Sequence, residues 1–404
     1  MVLIKNNIYD WLIIAFISLQ AFGLVGGALQ PVRIVSILLL FFIALSMIKG
    51  KLKGYFYEFL VFLFWISYGL FTLIWSPDLE AGYKEIVVIL VNSIGFFGLL
   101  ALATFSNNPQ QSVLRGWKIL FLIVLPIALI ELIVDWHLPL SIQEEGNLVN
   151  MGRGIIVQRK FASVTFGNLN AFNTILAYMS PFFFAPFFSN SSSLTKKISV
   201  AILLCFFYIV ISNSSRAALF AIGLVSLYFL FTYTKSVKTL IGIIVLVIFG
   251  CAILLYLSPT FYEMIFLRFT EQSLTDKGRS LAVDAGLAEL LDSGFMGIGA
   301  GGFIKMMQAH NASILAPHNI FLEVSVQYGL FILILFISLG FRIWRKSLGN
   351  SNKRNSFIVK SGLLIFPIVG IINSGYLLNI WMWMFLASLY VFSDKQFNVD
   401  NDAS

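Results

Sequence analysis

Twelve apolar stretches, each of a length that can cross a bilayer, run through these 404 residues, and one long polar interruption, Pro259 to Pro317, separates the last three from the rest. A hydrocarbon core of roughly 30 Å takes about 20 apolar residues per helix, with a range near 17 to 25. The stretches cover approximately residues 9–26, 34–48, 58–75, 86–104, 117–134, 168–188, 198–212, 216–233, 238–257, 318–341, 357–374 and 377–392. The second and seventh are short, and only the tight turn Asn373-Ser374-Gly375 divides the last two. Hydrophobic residues make up 59% of the chain and charged residues 11%, where a soluble domain carries about 25% charged. Ten-residue blocks of alternating hydrophobicity, the mark of a membrane barrel, are absent. The expected fold is an all-α polytopic integral membrane protein of about 12 transmembrane helices. Residues 1–392 form one transmembrane domain, residues 259–317 a large loop with short amphipathic helices between spans 9 and 10, and residues 393–404 a polar tail expected to be disordered.

Orientation follows from lysine and arginine, which are retained on the cytoplasmic side of short loops. With the N-terminus inside, 17 of the 27 cations fall in cytoplasmic segments, while 13 of the 19 carboxylates fall outside and Glu131 lies within a span. Both termini are therefore expected in the cytoplasm and the large loop outside it. The net charge of +8 reflects this topology and anionic lipid headgroups. No basic run interleaves with aromatics, so no nucleic-acid partner is expected. Cys205 and Cys251 both lie in apolar spans and read as packing residues, with no disulfide or metal site. A lone Lys5 before a long apolar run reads as an uncleaved first helix. Asp400-Asn401-Asp402 has the form of a metal-nucleotide motif but sits at a terminus that frays.

The chemistry-bearing residues gather on the outer side. Arg216 follows Ser212-Asn213-Ser214-Ser215 and opens the eighth span. Free N–H groups, the positive helix end and a bidentate guanidinium all suit an anion such as phosphate; an arginine snorkelling to the interface is the structural alternative. Arg279, in Thr275-Asp276-Lys277-Gly278-Arg279-Ser280, is expected in the first turn of an amphipathic helix that lays Val283, Leu287, Leu290 and Leu291 on the membrane. A cation there gains nothing from the dipole, which points to a bound anion, or else to an ion pair with Asp276 or Asp284. The glycine run Ser293 to Phe303, with Gly294, Gly297, Gly299, Gly301 and Gly302, lacks the flanking strand that a nucleotide loop needs. It reads as backbone that packs closely or folds back against the membrane surface.

His318 follows Ala316-Pro317 and heads the tenth span, His318-Asn319-Ile320-Phe321-Leu322-Glu323. A positive helix end lowers an imidazole pKa, so a neutral His318 able to accept a proton is expected. Glu323 would orient it or face a polar cavity, since ionisable residues in membrane spans are functional candidates by default. His310 lies mid-loop, and His137 in Trp136-His137-Leu138-Pro139 reads as an interfacial anchor. Arg153, Arg159 and Lys160 form a second outer cationic set, ahead of Phe161 to Asn170. The Gly and Asn cluster there suggests a broken or re-entrant helix start, tolerated where it lines protein or a wet cavity.

Ser215-Arg216 at the head of a span, Gly278-Arg279-Ser280 before an amphipathic helix, Gly297-Ile298-Gly299, His318-Asn319 and Gly329 eleven residues after the histidine resemble the O-antigen ligase and polymerase superfamily. Phe166-Gly167-Asn168-Leu169-Asn170 resembles its usual start to the sixth span, and the twelve-span layout matches throughout. Ile332 stands where ligases often carry a second glycine, which disfavours the ligase branch.

The resemblance implies a metal-independent, inverting glycosyltransferase of the bacterial cytoplasmic (inner) membrane, active on the periplasmic or exterior face and needing no cofactor. Its donor would be an undecaprenyl diphosphate-linked oligosaccharide. Arg216 and Arg279 would stabilise charge on the departing diphosphate and His318 would act as general base. Arg153, Arg159, Lys160, Asn319, Glu323 and His310 are expected to bind substrate.

A polymerase would join lipid-linked repeat units of O-antigen or capsular polysaccharide, in company with a flippase and a chain-length regulator. A ligase would pass the glycan to a lipid A core or another acceptor. The polymerase is favoured by Ile332 and by the second cationic loop, which would hold a growing chain. A twelve-helix transporter is the alternative of another class. It would place its polar features at the midplane in two repeated halves, and no such repeat is visible.

Overall fold

The computed structural model describes residues 7–140, 148–150, 156–158, 160–189, 191–233, 274–312, 315–373 and 375–397. The expected ninth span at 238–257, Cys251 and most of the tail lie outside these residues, as do Arg153 and Arg159.

Apart from one small hairpin, the regular structure among the described residues is helical. In order, the helices are α1 Ile8–Ser18, α2 Pro31–Leu38, α3 Leu40–Ile48, α4 Phe56–Thr72, α5 Leu79–Phe105, α6 Pro109–Val134, α7 Leu169–Phe183, α8 Ser193–Ser212, α9 Arg216–Tyr233, α10 Leu274–Asp292, α11 Phe303–Ala309, α12 Ile320–Ser347, α13 Lys353–Val369 and α14 Ile380–Ser393. Between α6 and α7, β1 (Leu148–Asn150) pairs antiparallel with β2 (Ile156–Gln158), a three-residue ladder that no sequence pattern announced. Eight helical segments among the described residues are long and apolar enough to span a membrane, and Ile8–Phe22 and Ile380–Ser393 are shorter apolar helices. The chain is a multi-pass helical membrane protein.

Helix starts are marked by short polar side chains that satisfy the first free N–H groups. Asp78 accepts from Ala81, Asn168 from Ala171, Ser192 from Thr195 and Asn319 from Phe321 and Leu322. At α1, Asn7 and Asp10 form a reciprocal capping box. Asp10 also accepts from Asn108 N (3.0 Å) and Ser112 Oγ (3.1 Å), which fixes the α5–α6 turn beside the N-terminus.

The core forms around two helices that keep little lipid contact. All fourteen residues of α14 are buried, and α5 packs against α1, α2, α3, α4 and α14. Small residues let these backbones approach, as is usual between helices in lipid. A Cβ at Gly98 would lie 2.7 Å from Leu39, and one at Gly95 2.8 Å from Ser36 Oγ. The outer surfaces of α3 and α4 instead expose Leu40, Phe41, Leu60 and Phe64, as lipid-facing helices do.

α12 is broken. Gly329 sits at φ 79° and ψ 173° inside the helix, and non-helical backbone at membrane depth is tolerated only where protein satisfies it. The glycine run does so. Ile298 N donates to Val326 O (2.8 Å), Gly299 N to Gln327 O (3.1 Å), and Leu330 N to Phe295 O (3.0 Å). These are backbone groups that a continuous helix would pair internally. A Cβ on Gly297 would meet Gly329 N at 2.6 Å, and one on Gly301 would meet Gly82 N at 2.3 Å. The other side of the run docks on the end of α4. Tyr68 Oη donates to Met296 O (2.7 Å), Trp75 Nε1 to Gly297 O (3.0 Å) and Ser76 Oγ to Ala300 O (2.8 Å), while Ala300 N donates to Thr72 Oγ1 (3.1 Å). The expectation of close backbone packing holds, and its target is the break in α12.

Candidate active site

His318 and Arg279 come together across the α10–α12 contact. Gly286 of α10 faces Leu322 and Val326 of α12 so closely that a Cβ would lie 3.0 Å from each. Helix α10 already covers Leu274, so Arg279 stands beyond its first turn and not in it as the sequence suggested. Its apolar residues divide between two faces: Ala282, Ala285 and Leu290 are buried, whereas Val283, Leu287 and Leu291 are exposed. The outward face is the one that suits a membrane surface. Leu290, expected on that face, turns inward.

His318 lies two residues before α12, half-buried, at φ 44°. A left-handed backbone is uncommon for any residue but glycine, costs about 1–3 kcal/mol, and persists where surrounding structure imposes it, often at functional sites. Burial, and then the nearby Arg279 charge, push the imidazole pKa down from 6.5 to about 4. The sequence ascribed a lowered pKa to the positive helix end; the causes here are burial and a neighbouring cation. His318 Nδ1 and Arg279 Nε are both buried without a hydrogen-bond partner among the described residues.

The other named residues are placed as follows. Arg216 is exposed at the first position of α9. Just before it, Asn213 is buried and clamps the loop ahead of α7, accepting from Ala162 N (2.7 Å) and donating to Ala162 O and Asn173 Oδ1 (2.9 Å each). Asn319 caps α12 through Phe321 N and Leu322 N. Glu323 is buried and accepts from Tyr376 N (3.1 Å), tying α12 to the turn before α14. His310 is exposed, 3.4 Å from Glu289, and Lys160 donates to Ile133 O (2.6 Å).

Several participants escaped the sequence reading. Glu131, visible only as a deep charge, accepts from Ser163 N (2.7 Å) and Val164 N (2.8 Å) and so holds the non-helical entry to α7. His137 stacks on Phe161 with ring centroids 4.4 Å apart and brings Nδ1 to 3.6 Å from Glu131, so it belongs to the fold of this loop and is more than an anchor. Glu85, inside α5, accepts from Tyr328 Oη (2.5 Å) one residue before the α12 break. Arg33, two residues after the proline that opens α2, donates through Nη2 to Leu378 O (2.7 Å) and leaves Nε buried without a partner among the described residues. Like Arg216, it is a cation at a helix start, a signal present in the sequence. Among the described residues no group of three His, Cys, Asp or Glu side chains has the arrangement of a metal site.

Residues 200–337, which include Arg216, Arg279, His318 and Gly329, match the family described as O-antigen ligase. The chain is also similar to the teichuronic acid biosynthesis protein TuaE of Bacillus subtilis (strain 168), 23% identical over 349 residues that cover 81% of this chain and 70% of that protein. Both comparisons support the O-antigen ligase and polymerase superfamily as the one this chain resembles.

Proposed function

We propose that the chain is a glycosyltransferase of polysaccharide biosynthesis in the bacterial cytoplasmic membrane, a polymerase that joins undecaprenyl diphosphate-linked repeat units on the outer face. The observation that carries this reading is the half-buried pair of a neutral His318 and a cationic Arg279. A base held free of its proton beside a fixed positive charge is what attack of a sugar hydroxyl on a lipid diphosphate glycoside requires. His318 takes the proton of the acceptor hydroxyl as its oxygen bonds to the anomeric carbon. The bond from that carbon to the diphosphate oxygen breaks on the opposite face, which inverts the centre. Arg279, with Arg216 from α9, receives the charge that collects on the diphosphate, so no metal ion is called for. The pairing of His318 with Arg279 just ahead of α12, and not within a membrane span, supports an enzyme of the membrane surface over a transporter. Transfer to a lipid A core or other acceptor is the second reading, and the match to the O-antigen ligase family favours it.

The test uses the purified full chain, an undecaprenyl diphosphate-linked oligosaccharide, a defined acceptor and EDTA. Arg279→Lys and Arg216→Lys keep the charge but lose the planar fork, and turnover should fall about 10²- to 10³-fold, as for loss of one preorganised donor. Full activity in both variants sinks the diphosphate role. Loss of wild-type activity in EDTA sinks the metal-free mechanism. A ladder of products supports the polymerase, and a single transfer supports the ligase.

A further inference from the structure

A second cationic site lies at the opposite end of the bundle. Arg354 stands in the first turn of α13, whereas Gly370, just past its last residue, accepts from Ile320 N beside His318. The two ends are therefore separated by the length of α13, about 25 Å at 1.5 Å per residue. There Arg115 and Lys118 of α6 and Arg354 line one cavity of about 220 Å³ together with hydroxyls of Ser189, Ser191, Thr195 and Ser199. Among the described residues no carboxylate lines it.

The charges in this cavity are unbalanced. Arg354 donates to Gln110 Oε1 (2.9 Å) and Asn355 Oδ1 (3.2 Å), both neutral. Neither Arg115 nor Lys118 has a hydrogen bond or ion pair among the described residues. Three like charges around one space repel unless an anion sits among them. Thr195 belongs to the first turn of the 20-residue α8, so the positive end of that helix adds to the field. The space equals roughly seven waters at about 30 Å³ each, enough for a phosphate and the atoms that join it to a larger molecule.

We propose that this cavity binds the phosphate of an anionic phospholipid from the cytoplasmic leaflet. A lipid is favoured over a soluble phosphate by what surrounds the cations. Leu114, Phe182 and Phe183 line the same cavity, and Leu194, Ile198 and Ile119 of the adjoining helices are exposed, as side chains facing lipid are. Basic pockets between transmembrane helices on the cytoplasmic side are a recurrent means of holding anionic headgroups. The site is independent of the catalytic reading, since it shares no residue with it.

The experiment compares thermal unfolding of the purified full chain in neutral detergent with added dioleoyl phosphatidylglycerol, dioleoyl phosphatidylcholine or inorganic phosphate. Phosphatidylglycerol should raise the midpoint above that with phosphatidylcholine, because a ligand of the native state alone stabilises it. In Arg115→Gln/Lys118→Gln the concentration needed should rise at least about tenfold, while Lys118→Arg, which keeps the charge, should behave as wild type. Should the double variant fail to fold, native mass spectrometry of Lys118→Gln should show fewer retained phosphatidylglycerol molecules than wild type. Equal shifts with both lipids, or with phosphatidylglycerol in wild type and double variant, overturn the site. A shift with inorganic phosphate alone keeps the anion site and rejects the lipid.

Discussion

The protonation of His318 gives the sharpest test of the catalytic assignment, because the chain has only three histidines. With its pKa lowered from 6.5 to about 4, about 1% of the ring is protonated at pH 6, against about three-quarters for an ordinary imidazole. Burial is the first cause and Arg279 the second, and the two separate when an anion binds. A diphosphate neutralises Arg279 and adds negative charge of its own, so it should raise the His318 pKa toward the operating pH, where a general base is most effective. Nitrogen-15 histidine spectra of the purified chain, with the His318 signal assigned by its loss in His318→Gln, read this directly. The empty protein should show a midpoint below pH 5. Geranyl diphosphate should move it up by about one unit or more, the size of an effect of one nearby charge. Arg279→Gln should raise the empty midpoint only in part, since burial remains. The sign for stability follows: with the folded pKa below the unfolded 6.5, this group's contribution is whole above pH 6.5 and is lost as pH falls toward 4. A midpoint near 6.5 that diphosphate does not move would refute both the burial and the pairing with Arg279.

Two further outcomes follow from the fold. Gly329→Ala puts a Cβ 2.4 Å from Phe295 O at φ 79°, so it should lower the unfolding midpoint well beyond Gly294→Ala, whose Cβ meets nothing within 4 Å and which bears only the strain of φ 59°; equal midpoints would show that the close packing of the glycine run on the break in α12 is not needed for stability. For orientation, single cysteines placed by Gln308→Cys and Lys353→Cys, with Cys205 and Cys251 replaced, sit at exposed positions; an impermeant thiol reagent on intact cells should label the first and not the second, and the reverse pattern would turn the proposed active face inward.

The described helices were legible because length and hydropathy set them, and the caps at Asn168, Ser192 and Asn319 are the residue types that end an apolar run on a free N–H. The break in α12 was not legible. Gly329 lies in the run Val326 to Leu335, apolar enough to read as continuous helix, and the groups that satisfy the break come from Phe295, Ile298 and Gly299 in another segment. His318 and Arg279 could be picked out by residue type and position, but their nearness depends on Gly286 packing against Leu322 and Val326. Glu131 shows the same gap. A buried carboxylate in a span reads as a functional charge, whereas here its two hydrogen bonds go to backbone 32 and 33 residues along the chain.

The glycine run explains why the proposed site is made of two parts. Helix α10 carries Arg279 and leads directly into the run, and the run is bonded backbone to backbone across the break in α12, at whose start His318 stands. Arg279 and His318 are thus held by the packing of α10 on Leu322 and Val326 and by three main-chain hydrogen bonds, a support of the kind the proposed pair would need. Arg216 is held differently. It heads α9, which packs on α7 and α13, and its neighbour Asn213 binds the loop ahead of α7 at Ala162. Arg216 therefore stands on a different support from Arg279 and His318. On the proposed mechanism the base and one cation would share one support, and Arg216 would reach the diphosphate from a separate one.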